Sequence, residues 1–233
     1  MVKHLVAFLL LAVLAAVFAS LTLGYQPDAA LNRTALYYAE NTAKDLGAQN
    51  IVTAIVVTYR GLDTLGEVTV LFLTSAIVGL ILSTHRATGE GRATGIPAAG
   101  ELLRTGSRLL VPLILLAGVY VFVNGHLTPG GGFQGGAILA SAALLMLLAD
   151  PLHRFGHRLI AVVESLSGVA YVAIGLLGLA WAGGFLDNRF LPLGDFGTLF
   201  SAGAIPVIYT LIGLKVGAEF ASMLASLSET EKS

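Results

Sequence analysis

The chain has 233 residues, 56% of them hydrophobic and 12% charged, with a mean hydropathy of +0.84 and a net charge of −1. Soluble domains carry about 25% charged residues, so this composition is that of an integral membrane protein, and without a basic field nucleic acid is excluded as a partner. No cysteine is present, which excludes disulfides, iron–sulfur clusters and thiolate metal sites within the chain.

The first apolar run, Leu5 to Leu23, follows Lys3. A signal peptide cleaved after Ala19 is one reading. The run exceeds the usual ~7–15-residue core of such a peptide and is long enough to span a bilayer. It is therefore read as a transmembrane helix over residues 2–24. Residues 35–59 mix polar and apolar side chains. Within them, 50–58 is too short to span alone and reads as an interfacial or re-entrant helix. Further spans are predicted at 65–84, 109–125, 133–149, 157–182 and 198–225, the last two tilted or overlong. The expected fold is all-α and polytopic, with six transmembrane helices arranged as two plus four.

A change of composition separates the two groups. Residues 85–108 hold Gly89, Gly91, Gly95, Pro97 and Gly100 together with Arg86, Arg92, Arg104 and Arg108. The expected organisation is a two-helix module at 1–84, a Gly/Arg-rich linker at 85–106, a four-helix domain at 107–226 and a polar tail at 227–233. Basic residues orient the chain. With the N-terminus in the cytoplasm, the inner segments hold Lys3, Arg86, Arg92, Arg104, Arg108, Arg154, Arg158 and Lys232. The outer ones hold only Arg33, Lys44, Arg60 and Arg189. Both termini are thus expected inside.

Ionisable groups within spans are costly and usually face a bundle interior or a partner. Arg60, Asp63, Thr64 and Glu67 share one face if their segment is helical. They are either a helix N-terminus, with carboxylates offsetting the dipole and Arg60 pairing with one of them, or an ionisable cluster on a proton or cation route. Lys215 and Glu219, four apart in the last span, form either a salt bridge near the cytoplasmic interface, with Lys215 snorkelling, or a charged relay. Glu164 lies early in the fifth span, at the interface or on the same route. No His-Glu-x-x-His, nucleotide-binding glycine motif or nucleophile–base signature appears. Neither a metal site nor a catalytic residue is expected.

Between the third and fourth spans the chain reads GHLTPGGGFQGG, from Gly125 through His126, Pro129, Gly130, Gly131, Gly132, Phe133, Gln134 and Gly135 to Gly136. Glycine permits close backbone approach, and Pro129 fixes one φ and removes one N–H. The stretch reads as a tight non-helical element at or just inside the membrane surface. Such backbone is tolerated there only where protein or a water-filled cavity satisfies it. His126 is either hydrogen-bonded scaffolding or a proton relay. Gln134 offers an amide to bridge backbone groups.

This glycine-rich stretch resembles the hallmark of the MnhB/MrpB family, membrane subunits of Mrp-type multisubunit Na+/H+ antiporters, and the resemblance covers residues 107–226. The upstream stretch NIVTAIVVTYRGLDTLGEVTV, residues 50–70, is similar to the MbhE-like unit of the same systems. That unit occurs in the C-terminal region of the large MrpA subunit or as a small separate protein. The chain thus resembles a fusion of two neighbouring modules. The resemblance implies a multi-pass subunit in a prokaryotic cell (inner) membrane, among lipids and other Mrp-type subunits, including the large complex I-like antiporter subunits. It implies no cofactor; the ions handled would be Na+ and H+. On the functional reading of the ionisable groups, Asp63, Glu67, Glu164, Lys215 and Glu219 are the ion-path candidates, with Arg60 as a supporting ion pair. Related modules also serve energy-converting hydrogenases and other redox-driven pumps, so that alternative stays open, as does a purely structural assembly role. The chain has too few spans to be a large antiporter subunit and is not expected to transport alone.

Overall fold

The computed structural model describes residues 2–25, 30–88, 99–150 and 155–230, with the backbone alone for 85–88. Among the described residues all regular structure is helical. Six helices are long and apolar enough to cross a membrane, so the protein is an all-α polytopic membrane protein. The chain divides into two compact units, one up to residue 37 and one from residue 38 onward.

The first unit contains α1, Val2–Gly24, and the start of α2, Arg33–Leu46. Helix α1 is an unbroken Leu/Ala/Val/Phe run with no buried residue. Its hydroxyls serve its own backbone: Ser20 donates to the Val17 carbonyl at 2.8 Å and Thr22 to that of Phe18 at 2.9 Å. Beyond Lys3 and His4 at its start, a helix whose hydroxyls bond to its own backbone suits a hydrocarbon setting.

The second unit is built around α8, Ile205–Thr230. It packs against α4 (Gly61–Thr88), α5 (Glu101–Val123), α6 (Gly132–Ala149) and α7 (His157–Trp181). Helix α4 is preceded by α3, Ile51–Ala54, and a π-helical turn, Ile55–Tyr59. Asn50 caps α3, its Oδ1 accepting from the Thr53 amide at 3.3 Å. Arg60 then leaves helical geometry (φ −125°, ψ 34°), and α4 begins one residue later. The predicted short helix at 50–58 is therefore an α/π segment joined to α4 through one non-helical residue. Its Val57 side chain is fully buried.

Several boundaries differ from expectation. The span expected from 109 begins at Glu101, because Arg104 and Arg108 stand exposed on the first turns of α5 instead of ending it. Helix α4 also runs to Thr88, so only residues 89–100 lie between the two helices. Residues 89–98 of the expected linker are outside the described residues. The last span begins at Ile205, the preceding residues 198–204 forming turns. It continues to Thr230, leaving 231–233 of the expected tail undescribed. The glycine-rich stretch is non-helical only as far as Gly131. From Gly132 to Gly136 it is the first turn of α6, where the absent side chains serve helix packing instead of loop geometry.

Candidate functional site

The glycines of α6 form a seam. A Cβ on Gly132 would lie 2.5 Å from Cγ2 of Ile212, and one on Gly136 would lie 2.7 Å from Cβ of Val216 and 2.8 Å from the Gly213 carbonyl oxygen. Gly132 and Gly136, four apart, therefore let α6 meet α8 at backbone distance. Gly135 does the same toward α5: its Cβ would sit 2.7 Å from the Gly118 carbonyl oxygen. Helix α8 returns the arrangement, since Gly213 lies under the Phe122 ring and Gly217 against Leu139. In lipid, where no hydrophobic force drives helices together, such small-residue contact is what holds them.

A polar cap closes one end of this seam. The Gly125 carbonyl accepts from Asn50 Nδ2 at 3.0 Å and from Thr53 Oγ1 at 2.6 Å, and the Thr128 carbonyl accepts from Asn50 Nδ2 at 2.9 Å. The Tyr209 hydroxyl donates to Thr53 Oγ1 at 3.2 Å. The amides of Gln49 and Asn50 both donate to the His126 carbonyl. From the α7–α8 connection, Asn188 Nδ2 donates to the carbonyls of Leu46 and Ala202 at 2.9 and 2.8 Å. Ala202 is held at φ 61° and Leu186 at φ 64°, conformations that persist only where surroundings fix them. The irregular backbone is thus satisfied by neutral side chains from two distant segments, 50–53 and Asn188, with Tyr209 bracing Thr53.

His126 is fully buried in this cap, its Nε2 lying 3.3 Å from the Thr198 carbonyl oxygen and its Nδ1 making no hydrogen bond among the described residues. Burial lowers its affinity for a proton below the ordinary imidazole value, and the surrounding backbone acceptors offset this only in part. Within the motif, Gly130 takes φ +137° against Val121, and Phe133 packs on the core. Pro129 and Gln134 are exposed. The Gln134 amide makes no hydrogen bond among the described residues, so the expected backbone bridge is supplied by Asn50 instead. Beside the cap, burial alone would push the Asp187 carboxyl up, but the hydrogen bonds and charge of Arg189 outweigh it and hold it below the usual carboxylate range.

The charged candidates fall into two groups. Arg60 and Asp63 form a 2.5 Å ion pair with both side chains more than half exposed. Glu67 is exposed on the same face of α4, while Thr64 turns inward and donates to the Val56 carbonyl at 2.6 Å. The second group lies inside the bundle. Lys215 Nζ is 2.8 Å from Glu219 Oε1, with side chains 9% and 0% exposed. Lys215 does not snorkel. Its ammonium rests 4.7 Å from the centre of the Phe72 ring, on α4, and beside Gly168 of α7. Glu164 precedes Gly168 by one turn, and its charge reaches Glu219. The fold thus brings Lys215 and Glu219 together at the α4–α7–α8 junction, with Glu164 one turn before Gly168 on α7, and leaves Arg60 and Asp63 at the start of α4, with Glu67 one turn on, its charge reaching Tyr171.

Sequence reasoning missed Asn50, Thr53, Asn188, Tyr171 and Tyr209. Asn50 carried a usable signal: an N-cap residue just before an apolar run. Thr53, Asn188 and Tyr209 are neutral groups with partners far away in sequence, and Tyr171 is buried with no hydrogen-bond partner for its hydroxyl among the described residues.

Comparison with known proteins places this architecture. Residues 102–222 match the family described as a domain related to the MnhB subunit of Na+/H+ antiporter, and residues 4–95 match the MbhE family, described as a subunit of MBH. A putative antiporter subunit mnhB2 of Staphylococcus haemolyticus is 33% identical over 129 residues, covering 49% of this chain and 88% of that one. Among solved structures, a chain of the membrane-bound sulfane sulfur reductase, an archaeal respiratory membrane complex, superposes with a TM-score of 0.83 and 42% identity, covering 97% of this chain and 98% of that one. A chain of the Mrp complex from Dietzia sp. DQ12-45-1b superposes with a TM-score of 0.78 and 27% identity, covering 98% of this chain but 26% of that longer one. With the family match spanning the α5–α6–α8 seam and its glycines, the chain belongs to the family of membrane proteins related to the MnhB subunit of Na+/H+ antiporters.

Proposed function

We propose that the chain is a membrane subunit of an Mrp-type multisubunit monovalent cation (Na+)/proton antiporter, contributing to assembly of the complex and to its cation path. The observation that carries this reading is that 98% of the chain superposes on 26% of a longer Mrp-complex chain. Both family-matched segments of this chain, residues 4–95 and 102–222, fall within that coverage. The packing supports joint action: α4, from the MbhE-like segment, lies against α8, from the MnhB-like segment, and Asn50 binds the glycine-rich loop. On this reading the expected boundaries at 84/85 and 106/107 mark sequence modules that share one packed unit. The chain acts as part of a transporter and not as an enzyme.

A second reading is favoured by the match over nearly all of both chains to a component of the sulfane sulfur reductase. Here the same fold would serve a redox-driven ion pump. Purification of the tagged chain in mild detergent, with identification of its partners, separates the two. Large antiporter subunits without redox subunits, and Na+-dependent ΔpH in proteoliposomes of the purified complex, support the first. Redox subunits in stoichiometric amount replace it with the second. A purely scaffolding role predicts that Glu67→Gln leaves an assembled complex with wild-type transport, whereas the cation-path role predicts reduced antiport or a shifted pH optimum.

A further inference from the structure

The α4–α7–α8 junction holds charge that assembly alone does not require. Lys215 lies ten residues into α8, and Glu219 eleven residues before its end. At 1.5 Å per residue, the pair sits roughly 15 Å from either end of the helix, near mid-membrane. Removing two charges from water is repaid only where further hydrogen bonds fill the remaining lone pairs. Glu219 lacks them: Lys215 Nζ lies 2.8 Å from its Oε1, and neither oxygen has a further hydrogen-bond partner among the described residues. Ser75 of α4 is close, but its hydroxyl faces the Glu219 main-chain carbonyl at 3.4 Å, not the carboxylate.

The remaining neighbours can be stated element by element. From α4 come the Phe72 ring and Ser75. From α7 the titratable groups are Glu164 and Tyr171, the latter with a buried hydroxyl that has no hydrogen-bond partner among the described residues and is reached by the charge of Glu67 on α4. Helix α6 carries no ionisable residue, and the charges of α5 (Glu101, Arg104 and Arg108) lie at its start, away from the seam. An alkali cation would need several converging oxygens in place of its water. Here the ammonium already occupies the position such a cation would take, and no group of three or more His, Asp or Glu residues among those described is arranged to hold a metal ion. A proton needs only the carboxylate itself.

Resting on the reading that the chain belongs to an ion-moving complex, we propose that Glu219 is a proton-accepting site in the middle of the membrane, switched by Lys215 and reached past Glu164. Glu164 lies seven residues into α7, about 10 Å from its start. At that same end His157 and Glu229 form a 2.5 Å pair, and the polar cap lies at the other end. A proton delivered past Glu164 forms an O–H bond on the Glu219 carboxylate. Lys215 keeps its three N–H bonds and loses its counter-charge, retaining the Phe72 ring beside its ammonium. Loss of the proton restores the ion pair. One proton enters and one leaves, and no other bond changes.

The test uses the intact complex carrying this chain. Infrared difference spectra across a pH step should show a protonated-carboxyl C=O band that is absent in Glu219→Gln and present in Glu67→Gln. A band unaffected by Glu219→Gln, or one that answers to Na+ at fixed pH, overturns the proposal. In parallel, the double variant Lys215→Met with Glu219→Met replaces the pair by apolar side chains, which a purely structural pair tolerates. The complex is expected to assemble and to lose proton-coupled transport at least about tenfold. Assembly with wild-type transport overturns the proposal. Should the double variant not assemble, the Glu219→Gln spectrum decides. The band reports protonation whether antiport or electron transfer drives the complex, so it can fail or hold independently of the antiporter reading.

Discussion

Placing one methyl group on the α6–α8 seam is the most direct challenge to the packing described above. In Gly136→Ala the new Cβ would meet Val216 Cβ at 2.7 Å and the Gly213 carbonyl oxygen at 2.8 Å. Ordinary contact begins at 3.4 Å, so the helices must part locally by about 0.7 Å (3.4 − 2.7). Neither obstacle can swing away: one is a β-carbon and the other main chain. Overpacking of this kind costs about 1–3 kcal/mol, against a gain of up to about 1 kcal/mol from replacing glycine within a helix. Gly106→Ala in α5 isolates the gain, because nothing lies within 4 Å of its Cβ. Gly183, though equally open, is no control, since its φ of +90° strains any side chain. The thermal midpoint of the detergent-solubilised subunit, followed by size-exclusion chromatography after heating, should fall several degrees for Gly136→Ala and hold or rise for Gly106→Ala. Equal midpoints for the two variants would refute close packing through Gly136.

Other outcomes follow from the cap and the topology. Asn50→Ala removes the Nδ2 donations to the Gly125 and Thr128 carbonyls, leaving Gly125 the Thr53 hydroxyl, and removes the cap of α3. It should cost roughly 1–3 kcal/mol and speed hydrogen exchange at the Gln49 and residue 50 amides. His126 binds a proton less readily folded than unfolded. Its contribution to stability is therefore full above the ordinary imidazole value of about 6.5 and is lost as pH falls from there through the folded value. A melt series from pH 8 to pH 5 should show that loss, and His126→Gln should flatten it while lowering stability at pH 8. Cysteines replacing Glu101 and Asp195, both exposed, should label from opposite faces of the membrane. Labelling from one face would contradict the span order.

The spans were legible because their signal is composition over a length set by the bilayer, and it survives errors of several residues at each end. Those errors have a cause. Arg104 and Arg108 look like a stop in a hydropathy profile, yet a helix tolerates them where their side chains stand exposed. Lys215 and Glu219 were legible as a pair from spacing alone, but their depth was not, because depth depends on where α8 starts. That start is fixed by Ala202 and Asn188, not by hydropathy. Glu164 joins them only through the α7–α8 packing, where Gly168 leaves room for the Lys215 side chain. The glycine motif announced close approach but not its kind: Gly130 serves the turn and Gly132, Gly135 and Gly136 serve the helix. No local pattern distinguishes the two uses.

Helix α8 has a place in time as well as in space. Helices α4 and α7 meet the other long helices mainly through it, yet it is the last of them to leave the ribosome. While the chain is being made, α4 to α7 must wait in the bilayer without their shared neighbour, and Thr53 must wait for Tyr209. Lateral order of α4 and α7 therefore waits on the emergence of α8, whereas α5 and α6 can already pair through Gly118 and Gly135. Nascent chains ending before Ile205 would hold that one pair beside unattached spans, and arrival of α8 would gather them around it.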